Sequence, residues 1–135
     1  MASKRNTSLL IAAIVALLFG ALTILSGGRA LFGGVEARAA IGDAVPFVLW
    51  FNFVAGFAYV LAGIGLFLQR RPAVWFSIAI LAGTVVVLIA LGVHILQGGA
   101  YEMRTLGAMI LRALVWAVIS AVALRHLGQG RRTAI

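Results

Sequence analysis

The hydrophobic residues of the chain fall into four long segments, which short polar or glycine-rich stretches separate. A helix needs about 20 apolar residues to cross the hydrocarbon core of a bilayer, and each segment reaches that length. We therefore expect an all-α integral membrane protein, folded as an antiparallel bundle of four transmembrane helices. The predicted helices span residues 8–27, 46–68, 73–97 and 105–127.

Glycine and proline mark where the predicted helices begin and end. Gly27 and Gly28 are predicted to end the first helix, and Pro46 suits the first turn of the second. Residues 69–72 are too few for anything except a hairpin between antiparallel helices. The prediction places outer loops at 28–45 and 98–104, a cytoplasmic turn at 69–72 and a cytoplasmic tail at 128–135.

The basic start of the chain permits two interpretations of the first apolar segment. Lys4 and Arg5 precede that segment, as basic residues do in a secretory signal peptide. The segment is, however, longer than the apolar core of a signal peptide, which has about 7–15 residues. We expect a retained first transmembrane helix.

Lysine and arginine are distributed unequally between the two ends of the predicted bundle. Seven lie at one end: Lys4, Arg5, Arg70, Arg71, Arg125, Arg131 and Arg132. Three lie at the other: Arg29, Arg38 and Arg104. Because cytoplasmic loops carry the excess of positive charge, both termini are expected in the cytoplasm. The expected location is the inner membrane of a bacterium, with several passes through it.

Composition narrows the class of function further. Of the 135 residues, 64% are hydrophobic and 10% are charged, whereas a soluble domain has about 25% charged residues. The net charge is +8, but the basic residues flank apolar segments, where lipid headgroups explain them better than nucleic acid does. The sequence contains no cysteine, which excludes disulfides and thiol catalysis.

Polar residues within the predicted helices lie at similar depths in the outer half of the bundle. From the helical rise, Asn52, His94 and Arg112 lie about 9, 5 and 10 Å below the outer ends of their helices. Thr23 and Ser26 occupy the outer end of the first helix. We predict a polar pocket that opens outward. The candidate ligand-binding residues are Arg112, His94, Asn52, Tyr59, Gln97 and Glu102.

Arg112 is the strongest single signal in the sequence. An arginine at the centre of a transmembrane helix costs about 2.5–3.5 kcal/mol on insertion scales, so something should compensate its charge. The candidate counter-ions are Glu36, Asp43 and Glu102, and an anionic ligand would serve equally. The alternative is that the long side chain snorkels to the outer headgroups.

His94 raises the question of a metal or haem site. His126 is predicted at the opposite end of the bundle, so the two histidines cannot share a ligand within one subunit. Glu102 and Met103 are on the correct side, but their spacing from His94 is not diagnostic of a metal site. No cofactor, no metal and no catalytic residue is predicted, and haem or metal at His94 remains the alternative.

Three functions fit these observations. The first is a non-enzymatic accessory subunit, or a binder of a lipid-like or small ligand in the outer pocket. The second is a transporter or channel subunit for a small solute or anion. Against it, the inner half of the bundle offers few polar side chains beyond Ser77, Thr84 and Ser120, whose hydroxyls can bond their own backbone. The third is an enzyme that acts on a lipid-soluble substrate through His94, Glu102 and Arg112. Helix faces of small residues suit packing into a homo-oligomer or a larger membrane complex as well as within the bundle.

Overall fold

The computed structural model describes residues 7–36, 39, 42 and 45–128. Over these residues the chain is helical and contains no strand. The helices are α1 (Thr7–Phe32), α2 (Pro46–Phe67), α3 (Pro72–Leu96) and α4 (Met103–Ala123), and a π-helical turn (Leu124–Gly128) continues α4. All four α-helices are long and apolar enough to cross a membrane, which confirms the prediction of an all-helical chain with four potential membrane spans.

Each helix packs against its neighbours in the chain, and α4 also contacts α1. The outer end of the bundle is defined here as the end that holds the α1–α2 and α3–α4 connections. The inner end holds Thr7, the α2–α3 turn and the π-helical turn. Of the four pairs of neighbouring helices, α1 and α2 share the most extensive contact, and α1 and α4 share the least.

Glycine allows the backbones of α1 and α2 to touch. A Cβ atom added to Gly20 would lie 2.9 Å from the carbonyl oxygen of Gly56, and one added to Gly56 would lie 3.3 Å from the carbonyl oxygen of Gly20. Further along, a Cβ atom on Gly63 would lie 3.2 Å from the carbonyl oxygen of Ala13. Such close approach through small residues is the usual means by which membrane helices associate.

The first helix ends later than the sequence suggests. It was expected to end at residue 27, but α1 continues through Gly27 and Gly28 to Phe32. Gly27 faces α2, where an added Cβ atom would lie 3.2 Å from the Cβ atom of Phe53, so this glycine serves helix packing and does not end the helix. Hydrogen bonding continues as far as the amide of Gly33, which donates to the carbonyl of Arg29 over 2.8 Å.

The remaining helix ends follow the proline and glycine signals closely. Pro46 and Pro72 occupy the first turns of α2 and α3, where a missing amide proton costs nothing. Gln69 turns the chain between these helices in the left-handed region, with a φ of 56°. Beyond α3 the chain reverses at Gly98, whose φ is 85°. The predicted tail beyond residue 128 lies outside the described residues.

An apolar cluster fills the outer end of the bundle between α2, α3 and α4. Its buried members are Val45, Val48, Leu91 and Met109. Val48 lies one turn outside Asn52, and Met109 lies almost one turn outside Arg112. Asn52 and Arg112 therefore lie farther from the outer end than this packed apolar layer.

Candidate ligand-binding centre

Arg112 connects α4 to α1 through a hydrogen bond. Its Nη2 atom donates to the hydroxyl oxygen of Thr23 over 3.2 Å. Thr23 is buried, with 3% of its surface exposed, and Arg112 is half-buried. A charged donor therefore has a neutral acceptor within the bundle, at the contact between the first and last helices.

Three aromatic rings lie beside this hydrogen bond. The guanidinium carbon of Arg112 lies 5.7 Å from the centre of the Phe19 ring. Phe19 stacks on Tyr59 with centroids 6.1 Å apart, and Tyr59 lies 5.0 Å from Trp116. Aromatic faces carry partial negative charge and attract a guanidinium. We refer to Arg112, Thr23, Phe19, Tyr59 and Trp116 as the arginine centre.

The arginine centre contains donors that lack partners. Among the described residues, no acceptor pairs with Nε of Arg112, the hydroxyl of Tyr59 or Nε1 of Trp116, and all three atoms are buried. Tyr59 and Trp116 are both fully buried, at 0% exposure. A buried polar group without a partner costs about 1–3 kcal/mol. Arg112 lies beside the Tyr59 hydroxyl and Tyr59 packs against Trp116, so the three atoms belong to one incompletely hydrogen-bonded cluster.

Thr84 does not complete this site. Its hydroxyl and the Arg112 guanidinium both face the Tyr59 hydroxyl. The Thr84 hydroxyl, however, donates to the carbonyl of Ile80 within its own helix over 2.8 Å. The sequence predicted this backbone bond for Thr84 but also for Ser77 and Ser120, whose hydroxyls are buried and have no partner in the described part of the chain.

The candidate counter-ions do not meet Arg112 within the part of the chain that the structure describes. There, the interactions observed for the Arg112 guanidinium are with the hydroxyls of Thr23 and Tyr59 and with the Phe19 ring, and none is with a carboxylate. Glu36 is exposed beyond the end of α1. Glu102 lies against Gly42 in the outer connections, and Asp43 lies outside the described residues.

The other predicted binding residues lie apart from the arginine centre. His94 uses Nε2 to donate to the carbonyl of Ala100 over 2.9 Å, and its ring packs edge-on against Phe47. Gln97 is exposed just after α3. Asn52 lies about 10 Å along α2 from Tyr59, with its buried Oδ1 unpartnered among the described residues.

Of the six predicted binding residues, the structure thus brings together Arg112 and Tyr59. It adds Phe19 and Trp116, which sequence reasoning did not assign to the site. Trp116 follows Arg112 by four residues and Phe19 precedes Thr23 by four, so each pair shares a helix face. That spacing is the signal from which both aromatic residues could have been found.

A groove about 330 Å³ in volume adjoins this region between α1 and α4. A second one, of about 250 Å³, lies between α2 and α3. Both are lined almost entirely by apolar side chains. Among the described residues, no group of three or more histidine, aspartate and glutamate side chains is arranged to hold a metal ion.

Comparison with protein families, curated proteins and solved structures found no match to this chain.

Proposed function

We propose that this chain is a non-enzymatic membrane protein that binds a lipid-soluble ligand at the arginine centre. The observation that carries the proposal is the set of buried donors without partners on Arg112, Tyr59 and Trp116. The ligand would present an oxygen acceptor to these donors. Its binding would offset the cost of leaving them unpaired in the bundle.

The chemistry of the donors favours a ligand with a negatively charged or strongly polar oxygen. Nε of Arg112 and Nε1 of Trp116 can only donate, and the Tyr59 hydroxyl can donate as well. A carboxylate accepts several such bonds at once, and bonds from a charged donor are about twice as strong as neutral ones. The same ligand would supply the negative charge that Arg112 lacks among the described residues.

The experiment compares the lipids that co-purify with the protein and with two variants. Arg112→Gln removes the charge from the arginine centre, whereas Arg104→Gln removes a charge from the exposed start of α4. We expect mass spectrometry to find a ligand in the wild-type protein and in Arg104→Gln but not in Arg112→Gln. An identical set of bound lipids in all three proteins would refute the proposal.

We further propose that the inner end of the bundle faces the cytoplasm of a bacterium and that the protein resides in the inner membrane. The support is the excess of lysine and arginine at that end. Because the chain has no cysteine, single cysteines at Gln97 and Arg70 report the orientation directly. In intact cells an impermeant maleimide should label Gln97→Cys but not Arg70→Cys, and the reverse pattern would invert the proposed orientation.

A transporter or channel subunit is the second candidate function. It is favoured by the hydroxyls of Ser77 and Ser120, which are buried towards the inner end without partners among the described residues. They extend the polar interior beyond Arg112. Flux of a small anion into liposomes that is abolished in Arg112→Gln would support this candidate, and flux equal to that of empty liposomes would exclude it.

The enzymatic alternative has less support because Arg112 lies far along the helices from Glu102 and His94. Glu102 precedes Arg112 by ten residues, which is about 15 Å along one helix. His94 is similarly about 15 Å along α3 from Thr84, the residue of that helix that faces Tyr59.

A further inference from the structure

The groove between α1 and α4 lies on the inner side of the arginine centre. Aliphatic side chains and the hydroxyl of Ser8 line it, from Ser8 to Val15 on α1 and from Leu114 to Val122 on α4. Towards the outer end, the hydrogen bond between Arg112 and Thr23 holds the same two helices together. The groove therefore begins inward of this hydrogen bond, and still farther inward Leu9 and Ala123 are buried in the core.

The groove and the arginine centre share one stripe on each helix. On α4, Arg112 is followed by Val115, Ile119 and Val122 at spacings of three and four residues, which keep one helix face. On α1, Phe19 lies four residues beyond Val15. The lining of the groove therefore ends one helical turn from Phe19 on α1 and three residues from Arg112 on α4, so the two features lie end to end.

The dimensions of the groove limit what can occupy it. From Val115 to Val122 it extends about 10 Å along α4. Its volume is about 330 Å³. That length and volume suit a single hydrocarbon chain.

We propose that the ligand is an unbranched hydrocarbon chain that ends in a carboxylate. This inference rests on the proposed function and adds to it the class of ligand and the position of its tail. The carboxylate accepts from Arg112, Tyr59 and Trp116, and the tail lies in the α1–α4 groove towards the inner end. The groove opens sideways between two membrane helices, so the ligand reaches it from the bilayer.

The charge of Arg112 selects the head of the ligand, and the aliphatic lining selects its tail. Within the bundle a guanidinium attracts a carboxylate far more strongly than in water, because the low dielectric constant strengthens the interaction. A methylene group gains about 0.8 kcal/mol when it leaves water, but the tail is already in lipid before it binds and gains little of this. The head therefore provides most of the selectivity.

The test measures quenching of Trp116 fluorescence by hexadecanoic acid brominated a few carbons from its carboxylate. The 135-residue chain in detergent micelles carries Trp50→Phe and Trp75→Phe, which leave Trp116 as the only tryptophan of this sequence. Bromine quenches tryptophan only near contact, so a tail in the groove should quench Trp116 saturably. Unlabelled hexadecanoic acid should reverse the quenching, and hexadecyltrimethylammonium should not.

A matched pair of double variants tests the position of the tail. Val15→Phe with Val118→Phe fills the groove from both rims, where these residues are 37% and 63% exposed. The control, Val85→Phe with Val86→Phe, places the same bulk on α3 at residues that are 39% and 64% exposed. We expect the groove variant to weaken binding about tenfold or more, equivalent to about 1.4 kcal/mol, and the control to bind as the parent protein does.

The outcomes separate this inference from the proposed function. If the groove variant binds hexadecanoic acid as tightly as the control does, the tail does not lie in the groove, whatever Arg112→Gln shows. If hexadecanol binds as tightly as the acid, the carboxylate is not the recognised head. Equal binding by Arg112→Gln and the parent protein would overturn the proposed function itself.

Discussion

The guanidinium of Arg112 and the hydroxyl of Thr23 lie 3.2 Å apart and join the last transmembrane-length helix to the first. This bond occurs between the two helices that contact each other least among neighbouring pairs. It therefore has a structural role as well as a place in the arginine centre. The polar contact stabilises a helix pair that has little close packing of its own.

Thr23→Val should weaken the association of α1 with α4. The variant keeps the shape of the side chain but removes the acceptor for Arg112. Hydrogen bonds between membrane helices contribute about 0.6 kcal/mol on average and at most about 1.7 kcal/mol. We expect the free energy of unfolding in mixed micelles, followed by circular dichroism, to fall by an amount in this range.

Thr23→Ser is the control for that substitution because it retains the hydroxyl. Its free energy of unfolding should stay closer to that of the wild-type protein than the Thr23→Val value does. Equal losses in the two variants would mean that the methyl group of Thr23, and not its hydroxyl, supports the contact.

Gly20→Ala should separate α1 from α2. The added Cβ atom would lie 2.9 Å from the carbonyl oxygen of Gly56, which is backbone and cannot rotate away. Overpacking of this kind costs about 1–3 kcal/mol. The same unfolding measurement should show a loss of that size.

Gly107→Ala provides the matched control, since a Cβ atom at Gly107 would meet nothing within 4 Å. There alanine should be neutral or stabilise the helix by up to about 1 kcal/mol, because it favours the helical state more than glycine does. If both alanine variants behaved alike, close contact between the α1 and α2 backbones would not be needed for stability.

The sequence predicts the helices well because each must be long and apolar to cross a membrane. It also identifies Arg112, since a charge in such a helix requires compensation. It cannot identify the partner of that charge, because whether Phe19 or an outer carboxylate meets Arg112 depends on how α1 rotates against α4. Gly27 illustrates the same limit of sequence-based prediction. The sequence does not reveal whether this glycine ends α1 or packs against Phe53 within it.

Ser120→Ala should leave the stability of the protein unchanged or raise it. The Ser120 hydroxyl is buried without a partner among the described residues, so its removal relieves a cost of up to about 1–3 kcal/mol. Ser77→Ala, at the other buried hydroxyl towards the inner end, should behave in the same way. The free energy of unfolding in mixed micelles again provides the measurement.

A loss of stability in both serine variants would indicate that bound water satisfies these hydroxyls, since water bridges contribute almost as much as direct bonds. That result would strengthen the transporter candidate, because it would place water in the inner half of the bundle. Val122→Ala, which shortens a half-buried side chain near Ser120, controls for the general effect of substitution there.

His94→Ala should loosen the connection between α3 and α4 without affecting binding at Arg112. The His94 ring holds the chain through its bond to the carbonyl of Ala100, and it packs against Gly99. Hydrogen exchange of the amides from residue 97 to residue 102 should accelerate in the variant. His94→Gln can still donate a hydrogen bond and should retain part of the protection.

Quenching of Trp116 by brominated hexadecanoic acid should stay unchanged, because His94 lies about 15 Å along α3 from Thr84. Lost quenching with unchanged exchange would instead place His94 in the ligand site, as the sequence predicted.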